Sequence, residues 1–133
     1  MGQTVGVDSR ARAPHAGRHD PMAIDVSTAD GVTIFNLIGR LDSNSAGEAE
    51  QTVIEAVDGG ATRIIFDFRD LDYISSAGLR VILVAAKRMK AAGGKLTLCG
   101  MQEHVEEVFE MSGFLAILTV CPDRQAALQA MTA

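Results

Sequence analysis

The chain is 133 residues long, 47% hydrophobic, and carries a net charge of −5 with three histidines and two cysteines. That length supports one domain with its own core, and nine basic against fifteen acidic residues beyond position 21 argue against nucleic acid as the main partner. No apolar run approaches the ~18 residues of a membrane span, and the N-terminal residues lack the apolar segment that a secretory signal would carry.

Cys99 and Cys121 lack a CxxC spacing. Reduced thiols in a cytoplasmic protein are therefore expected, rather than zinc or a disulfide framework.

Residues 1–21 read as a disordered leader or tag-like segment, rich in Gly, Ala, Arg and His and without apolar periodicity. His15 and His19 are four apart, but Pro14, Gly17 and Pro21 oppose a helix there, so no metal site is expected. The domain is expected over residues 22–133. Ile24 and Val26 alternate with Asp25 and Ser27, as in a half-exposed strand. Ala29-Asp30-Gly31 predicts a tight turn into a second strand over Val32 to Ile38, giving a hairpin. A polar loop from Gly39 to Ser45 leads to a helix over Ala46 to Val57, with Ala49, Val53, Ala56 and Val57 on its inner side and Gly59-Gly60 as its stop.

Ile64, Ile65, Phe66 and Phe68 form an apolar run suited to a strand covered on both faces, with Asp70 and Asp72 in its exit loop. Ser75 or Ser76 then stands where a helix N-cap belongs. Leu79, Ile82, Leu83, Ala86 and Met89 recur at helical spacing up to Gly93-Gly94. Arg80, Lys87, Arg88, Lys90 and Lys95 follow the serines with no acid among them, which reads as a solvated helix face. A strand over Lys95 to Cys99, a helix over Gln102 to Met111, a short strand or extended segment over Leu115 to Val120 and a last helix over Asp123 to Met131, with Pro122 at its first position, complete the pattern. The order β-β-α-β-α-β-α-(β)-α predicts an α/β domain with a mixed, mostly parallel sheet of four to five strands and about four helices.

The chemistry available is narrow. Ile74-Ser75-Ser76-Ala77-Gly78 is not a nucleophile elbow, because isoleucine stands where GxSxG needs glycine. His104 is the one histidine beyond residue 21 and lies in an acidic helix, so no base is placed for nucleophilic catalysis. No GxxxxGK[ST] or GxGxxG follows a strand, so no nucleotide cofactor is expected. Asp67, Asp70 and Asp72 could hold a divalent cation, but Asp67 sits inside an apolar strand and no metal is expected. A serine that is acted upon remains. Phosphate at the start of a helix meets the favourable end of the helix dipole and adds about −1.5 to −2 charges to the surface. The residues alone leave two readings open, a phosphorylation switch or a pair of helix-capping serines.

The run Leu71-Asp72-Tyr73-Ile74-Ser75-Ser76-Ala77-Gly78-Leu79 resembles the signature of STAS-domain proteins of the anti-sigma factor antagonist family. Gly39-Arg40-Leu41-Asp42, Gly93-Gly94 before Lys95-Leu96-Thr97-Leu98-Cys99-Gly100, and Val108 to Phe114 match it in order. The resemblance implies a single STAS domain and a non-enzymatic antagonist. Such a protein binds an anti-sigma factor with serine kinase activity while unphosphorylated, and so releases a sigma factor. Phosphorylation at the helix start breaks the complex and a metal-dependent protein phosphatase restores it. The implied phosphoacceptor is Ser76, with Ser75 as second choice. The implied partner-binding surface is Asp42, Ser43 and Asn44 together with Ser75, Ser76, Ala77, Gly78 and Arg80. Sporulation and stress-response members usually carry Asp before the phosphoserine and Ser or Thr after it, where this chain has Ser75 and Ala77. An alternative within the same resemblance is a STAS interaction module serving another signalling or transport apparatus. No membrane or direct nucleic-acid partner is expected in either case.

Overall fold

A computed structural model describes residues 22–132. The expected leader, with His15 and His19, lies outside the described residues. Strand β1 (Met22–Ala29) and strand β2 (Val32–Leu41) form an antiparallel hairpin with Ala29 opposite Val32. Its two-residue turn holds Asp30 and Gly31 at φ 53° and 79°. Both values are left-handed, the conformation that matches the twist of the strands and that Asp-Gly tolerates.

Strand β2 is the spine of the sheet. Helix α1 (Ala46–Asp58) returns the chain to β3 (Arg63–Asp67), which runs parallel to β2 with Thr33 opposite Ile64. Where β3 ends, β4 (Leu71–Ile74) takes over the same side of β2, pairing Gly39 with Leu71 and Leu41 with Ile74. Helix α2 (Ser76–Ala91) crosses to β5 (Lys95–Cys99), parallel to β3. Helix α3 (Glu103–Met111) and a 3₁₀ turn (Phe114–Ala116) lead to β6 (Thr119–Cys121), parallel to β5, and α4 (Arg124–Thr132) closes the fold. The sheet order is β1-β2-β3-β5-β6, with β4 on β2.

The mixed, mostly parallel sheet is as expected, but it has six strands rather than four or five. The extra strand, β4, lies where the sequence indicates an exit loop. It is four residues long, with Asp72 and Tyr73 exposed between buried Leu71 and Ile74, so it carries no continuous apolar run. The segment Leu115 to Val120 divides into the 3₁₀ turn and β6, because Gly113 at φ 80° turns the chain first. Pro122 lies two residues ahead of α4 rather than at its first position. Asp123 takes the cap instead, its Oδ1 accepting the N–H of Ala126 at 2.8 Å.

Helices α1, α2 and α3 cover one face of the sheet. Ala49 and Val53, then Leu79, Ile82, Ala85 and Met89, then Val105 and Phe109 pack there on Phe35, Leu37, Ile64, Phe66 and Leu98. Phe35, Phe66, Phe68 and Phe109 form a continuous aromatic path, with successive ring centroids at 5.4, 6.3 and 5.7 Å. Each fully buried ring contributes about 2–3 kcal/mol of transfer free energy. The opposite face is covered by α4, where Ala127 and Met131 meet Val32, Ile34, Ile65 and Cys99. Arg124 fixes α4 at this face: its Nε donates to Oδ2 of Asp67 at 2.9 Å. Asp67 is 2% exposed, and its Oδ1 accepts the N–H of Arg69 at 3.0 Å.

Candidate functional site

The site forms because β2 outlasts β3. Its last residues, Arg40 and Leu41, pair with Tyr73 and Ile74 after a register shift at Gly39 and Arg40. The two chain segments that leave β2 and β4 therefore emerge side by side. The carbonyl of Leu41 accepts the N–H of Ser75 at 2.9 Å, joining the 42–45 loop to the serine turn.

The two serines have different jobs. Ser75 is the N-cap of α2, with extended backbone at φ −100° and ψ 178°, and its side chain accepts the N–H of Gly78 at 3.3 Å. Ser76 is the first helical residue, exposed to solvent and free of the cap. The cap alternatives left open by the sequence thus resolve to Ser75. Gly78 is buried beneath the turn. A Cβ there would stand 2.7 Å from the Leu41 carbonyl oxygen and 2.8 Å from side-chain carbons of Leu41 and Ile74. Glycine is what lets α2 start this close to β2. Gly78 therefore shapes the surface but offers it no side chain, whereas Arg80, one turn into α2, is exposed.

The neighbouring loop is held by its own hydrogen bonds. Asp42 N–H donates to Ser45 Oγ at 3.0 Å, Ser45 Oγ donates to the Arg40 carbonyl at 2.9 Å, and Asn44 N–H donates to Asp42 Oδ1 at 3.0 Å. Ser45 is 4% exposed and serves the loop from inside. Ser43 and Asn44 are exposed and Asp42 is half-buried. The structure thus brings Asp42, Ser43 and Asn44 beside Ser75, Ser76 and Ala77 on one end of the sheet, at the carboxyl ends of β2 and β4.

Two further side chains join this surface. The Arg40 guanidinium lies 4.2 Å from the Tyr73 ring centroid and 3.7 Å from Asp42 Oδ2. Arg40 and Tyr73 were not among the expected site residues. Their contact depends on the β2–β4 pairing and on its register shift at Gly39 and Arg40, which no local sequence pattern signals.

The other candidates separate from the serine turn. Asp67 is committed to Arg124, and Asp70 Oδ2 accepts from Asn36 Nδ2 at 3.2 Å. Among the described residues no group of three or more His, Cys, Asp or Glu side chains is placed to hold a metal ion. His104 Nε2 donates to the Asp72 carbonyl at 2.5 Å, and Gln102 Nε2 donates to the carbonyls of Arg69 and Leu71 at 3.1 and 3.0 Å. Both tie the start of α3 to β4. Cys99 and Cys121 are free thiols opposite one another on β5 and β6. Burial, with the Asp67 carboxylate adding to it, pushes the Cys99 thiol up to about 12. Among the described residues no helix is long and apolar enough to cross a membrane.

Comparison with known proteins agrees with this geometry. The chain is 44% identical to BtrV of Bordetella bronchiseptica, provisionally named an anti-sigma factor antagonist, over 109 residues that make up 82% of this chain and 94% of that protein. Its fold is similar to that of a provisionally named anti-sigma factor antagonist of Thermotoga maritima, with a TM-score of 0.80 at 22% identity over 83% of this chain and 95% of that one. It is also similar to the phosphorylated form of Bacillus SpoIIAA, with a TM-score of 0.65 at 22% identity over 81% of this chain and 99% of that one. Residues 23–127, from the first strand into the last helix and through the whole serine turn, match the STAS domain, and the chain belongs to the STAS-domain family of anti-sigma factor antagonists.

Proposed function

We propose that this protein is an anti-sigma factor antagonist switched by phosphorylation of Ser76. Unmodified, it binds an anti-sigma factor with serine kinase activity through the serine turn and the Asp42-Ser43-Asn44 loop, and a sigma factor is released. In the reverse step the kinase moves the γ-phosphoryl group of ATP to Ser76 Oγ. The hydroxyl proton leaves, ADP is released and the complex separates. A metal-dependent phosphatase hydrolyses the phosphoserine and restores binding.

The observation that carries this reading is the division of labour between the serines. Ser75 already caps α2, so Ser76 is left exposed at the first helical position and beside the 42–45 loop. Phosphate there gains from the helix dipole and requires no refolding. A partner surface that fits a neutral hydroxyl meets a charge it must desolvate, which costs several kcal/mol. A phosphorylated form of SpoIIAA, whose fold is similar, supports the same reading.

The test is reconstitution with an anti-sigma factor kinase and ATP. The expected result is one phosphate, on Ser76, and loss of the complex. Absence of phosphate from both serines, together with wild-type binding by Ser76→Asp, would overturn the reading.

A further inference from the structure

Helix α2 carries four cations, Arg80, Lys87, Arg88 and Lys90, and no acid over its 16 residues. Arg80 lies four positions after Ser76, and both side chains are exposed. Among the described residues Arg80 makes no ion pair; the cations so engaged are Arg40 and Arg124. Side chains four apart on a helix are neighbours, and each leans toward the helix N-terminus. That geometry puts the turn that bears Ser76 within reach of an Arg80 side chain. Guanidinium presents a planar fork of donors that matches phosphate oxygens, and such charge-assisted bonds are about twice as strong as neutral ones.

Ser75 lacks this arrangement. Its side chain is turned onto the Gly78 N–H, and the residue four positions on is Leu79, which is buried. A phosphate on Ser75 would displace the cap and find no cation one turn away.

We propose that Arg80 is the intramolecular receiver of the phosphoryl group on Ser76. The inference rests on the reading of Ser76 as phosphoacceptor and adds what happens to the phosphate once it is there. Modification then changes the surface twice. It adds a dianion, and it occupies a guanidinium that the unmodified protein presents to its partner. Both changes act on the same patch of α2, so one transfer converts an exposed cation into a paired one.

The test does not need the kinase. Phosphoserine is installed during translation at position 76, and in a second protein at position 75, each with Arg80 intact, Arg80→Gln or Arg80→Lys. Phosphorus NMR follows the second ionisation of the phosphate, from about pH 4 to 9, around its ordinary value near 6. The fold of each protein is checked by circular dichroism; Arg80 is exposed, so the variants are expected to fold. The expected result at position 76 is a pKa lower with Arg80 than with Gln by about 0.3 unit, with Lys between them and with the difference shrinking at high salt. At position 75 the Arg80→Gln change is expected to have no effect. The inference is overturned if phosphoserine at 76 titrates within about 0.1 unit in the Arg and Gln proteins, or if the phosphate at 75 responds equally. Such a failure leaves the phosphoacceptor reading standing. That reading fails separately, through the kinase reconstitution.

Discussion

The carbonyl oxygen of Leu41 lies 2.7 Å from the point that a Cβ on Gly78 would occupy. The same oxygen accepts the Ser75 N–H at 2.9 Å. One backbone group thus sets the distance between the two halves of the site. Gly78→Ala is expected to push the start of α2 off β2 at a cost of about 1–3 kcal/mol, read as a lower denaturant midpoint. Because the turn moves relative to Asp42-Ser43-Asn44, binding to the anti-sigma factor is expected to weaken by more than stability alone explains. A midpoint equal to wild type would show that the close approach is not a constraint.

The adjacent serines are expected to respond in opposite ways. Ser75→Ala removes the N-cap and lowers stability by about 1 kcal/mol, while leaving phosphate incorporation at Ser76 intact. Ser76→Ala is expected to change stability by less than about 0.5 kcal/mol, as an exposed position does, and to abolish phosphorylation. Chemical denaturation and intact-protein mass spectrometry of both variants separate the two roles.

Most helical faces were legible in the sequence because burial repeats every three or four residues. Leu79, Ile82 and Met89 and, on α3, Val105 and Phe109 are buried as their spacing indicates. What was not legible depends on pairing between distant segments. Strand β4 exists because β2 extends beyond β3, and the Arg40–Tyr73 contact follows from a register shift that no local pattern announces. Asp67 looked like a misplaced acid in an apolar strand, and its partner, Arg124, lies 57 positions away. The serine turn was legible as a place, but its two cap candidates were equivalent until the Gly78 N–H showed which hydroxyl it faces.

The Asp67–Arg124 pair gives a third expectation. Arg124→Ala leaves a carboxylate that is 2% exposed without its cation. A loss of about 2–3 kcal/mol is expected, below that for a fully buried pair because the Arg124 side chain is 36% exposed. Adding Asp67→Asn to that variant is expected to recover part of the loss. Urea unfolding of the single and double variants checks this, and an unchanged midpoint for Arg124→Ala contradicts it.

Cys99 supplies a pH dependence. Its thiol titrates near 12 in the fold against an ordinary 9.0. The folded state therefore keeps a proton that the unfolded chain loses. The group takes nothing from stability below pH 9.0, and stability falls as pH rises from there toward 12. The slope from this one thiol is at most about 1.4 kcal/mol per pH unit. Urea midpoints between these limits are expected to fall more steeply for wild type than for Cys99→Ala; equal slopes would remove Cys99 as the cause. Below pH 9.0 a thiol reagent is expected to label Cys121 in the native protein and Cys99 only after unfolding.

One exposed hydroxyl at the start of α2 is expected to decide whether the protein binds its partner. The most direct measurement incubates the protein with an anti-sigma factor kinase and ATP, maps the phosphate by tandem mass spectrometry, and measures binding of the modified and unmodified forms to the same kinase by calorimetry. The expected result is phosphate on Ser76 alone and an affinity at least about tenfold weaker for the modified form, the equivalent of about 1.4 kcal/mol. Phosphate on Ser75, or a protein phosphorylated at Ser76 that binds as tightly as the unmodified one, would contradict it.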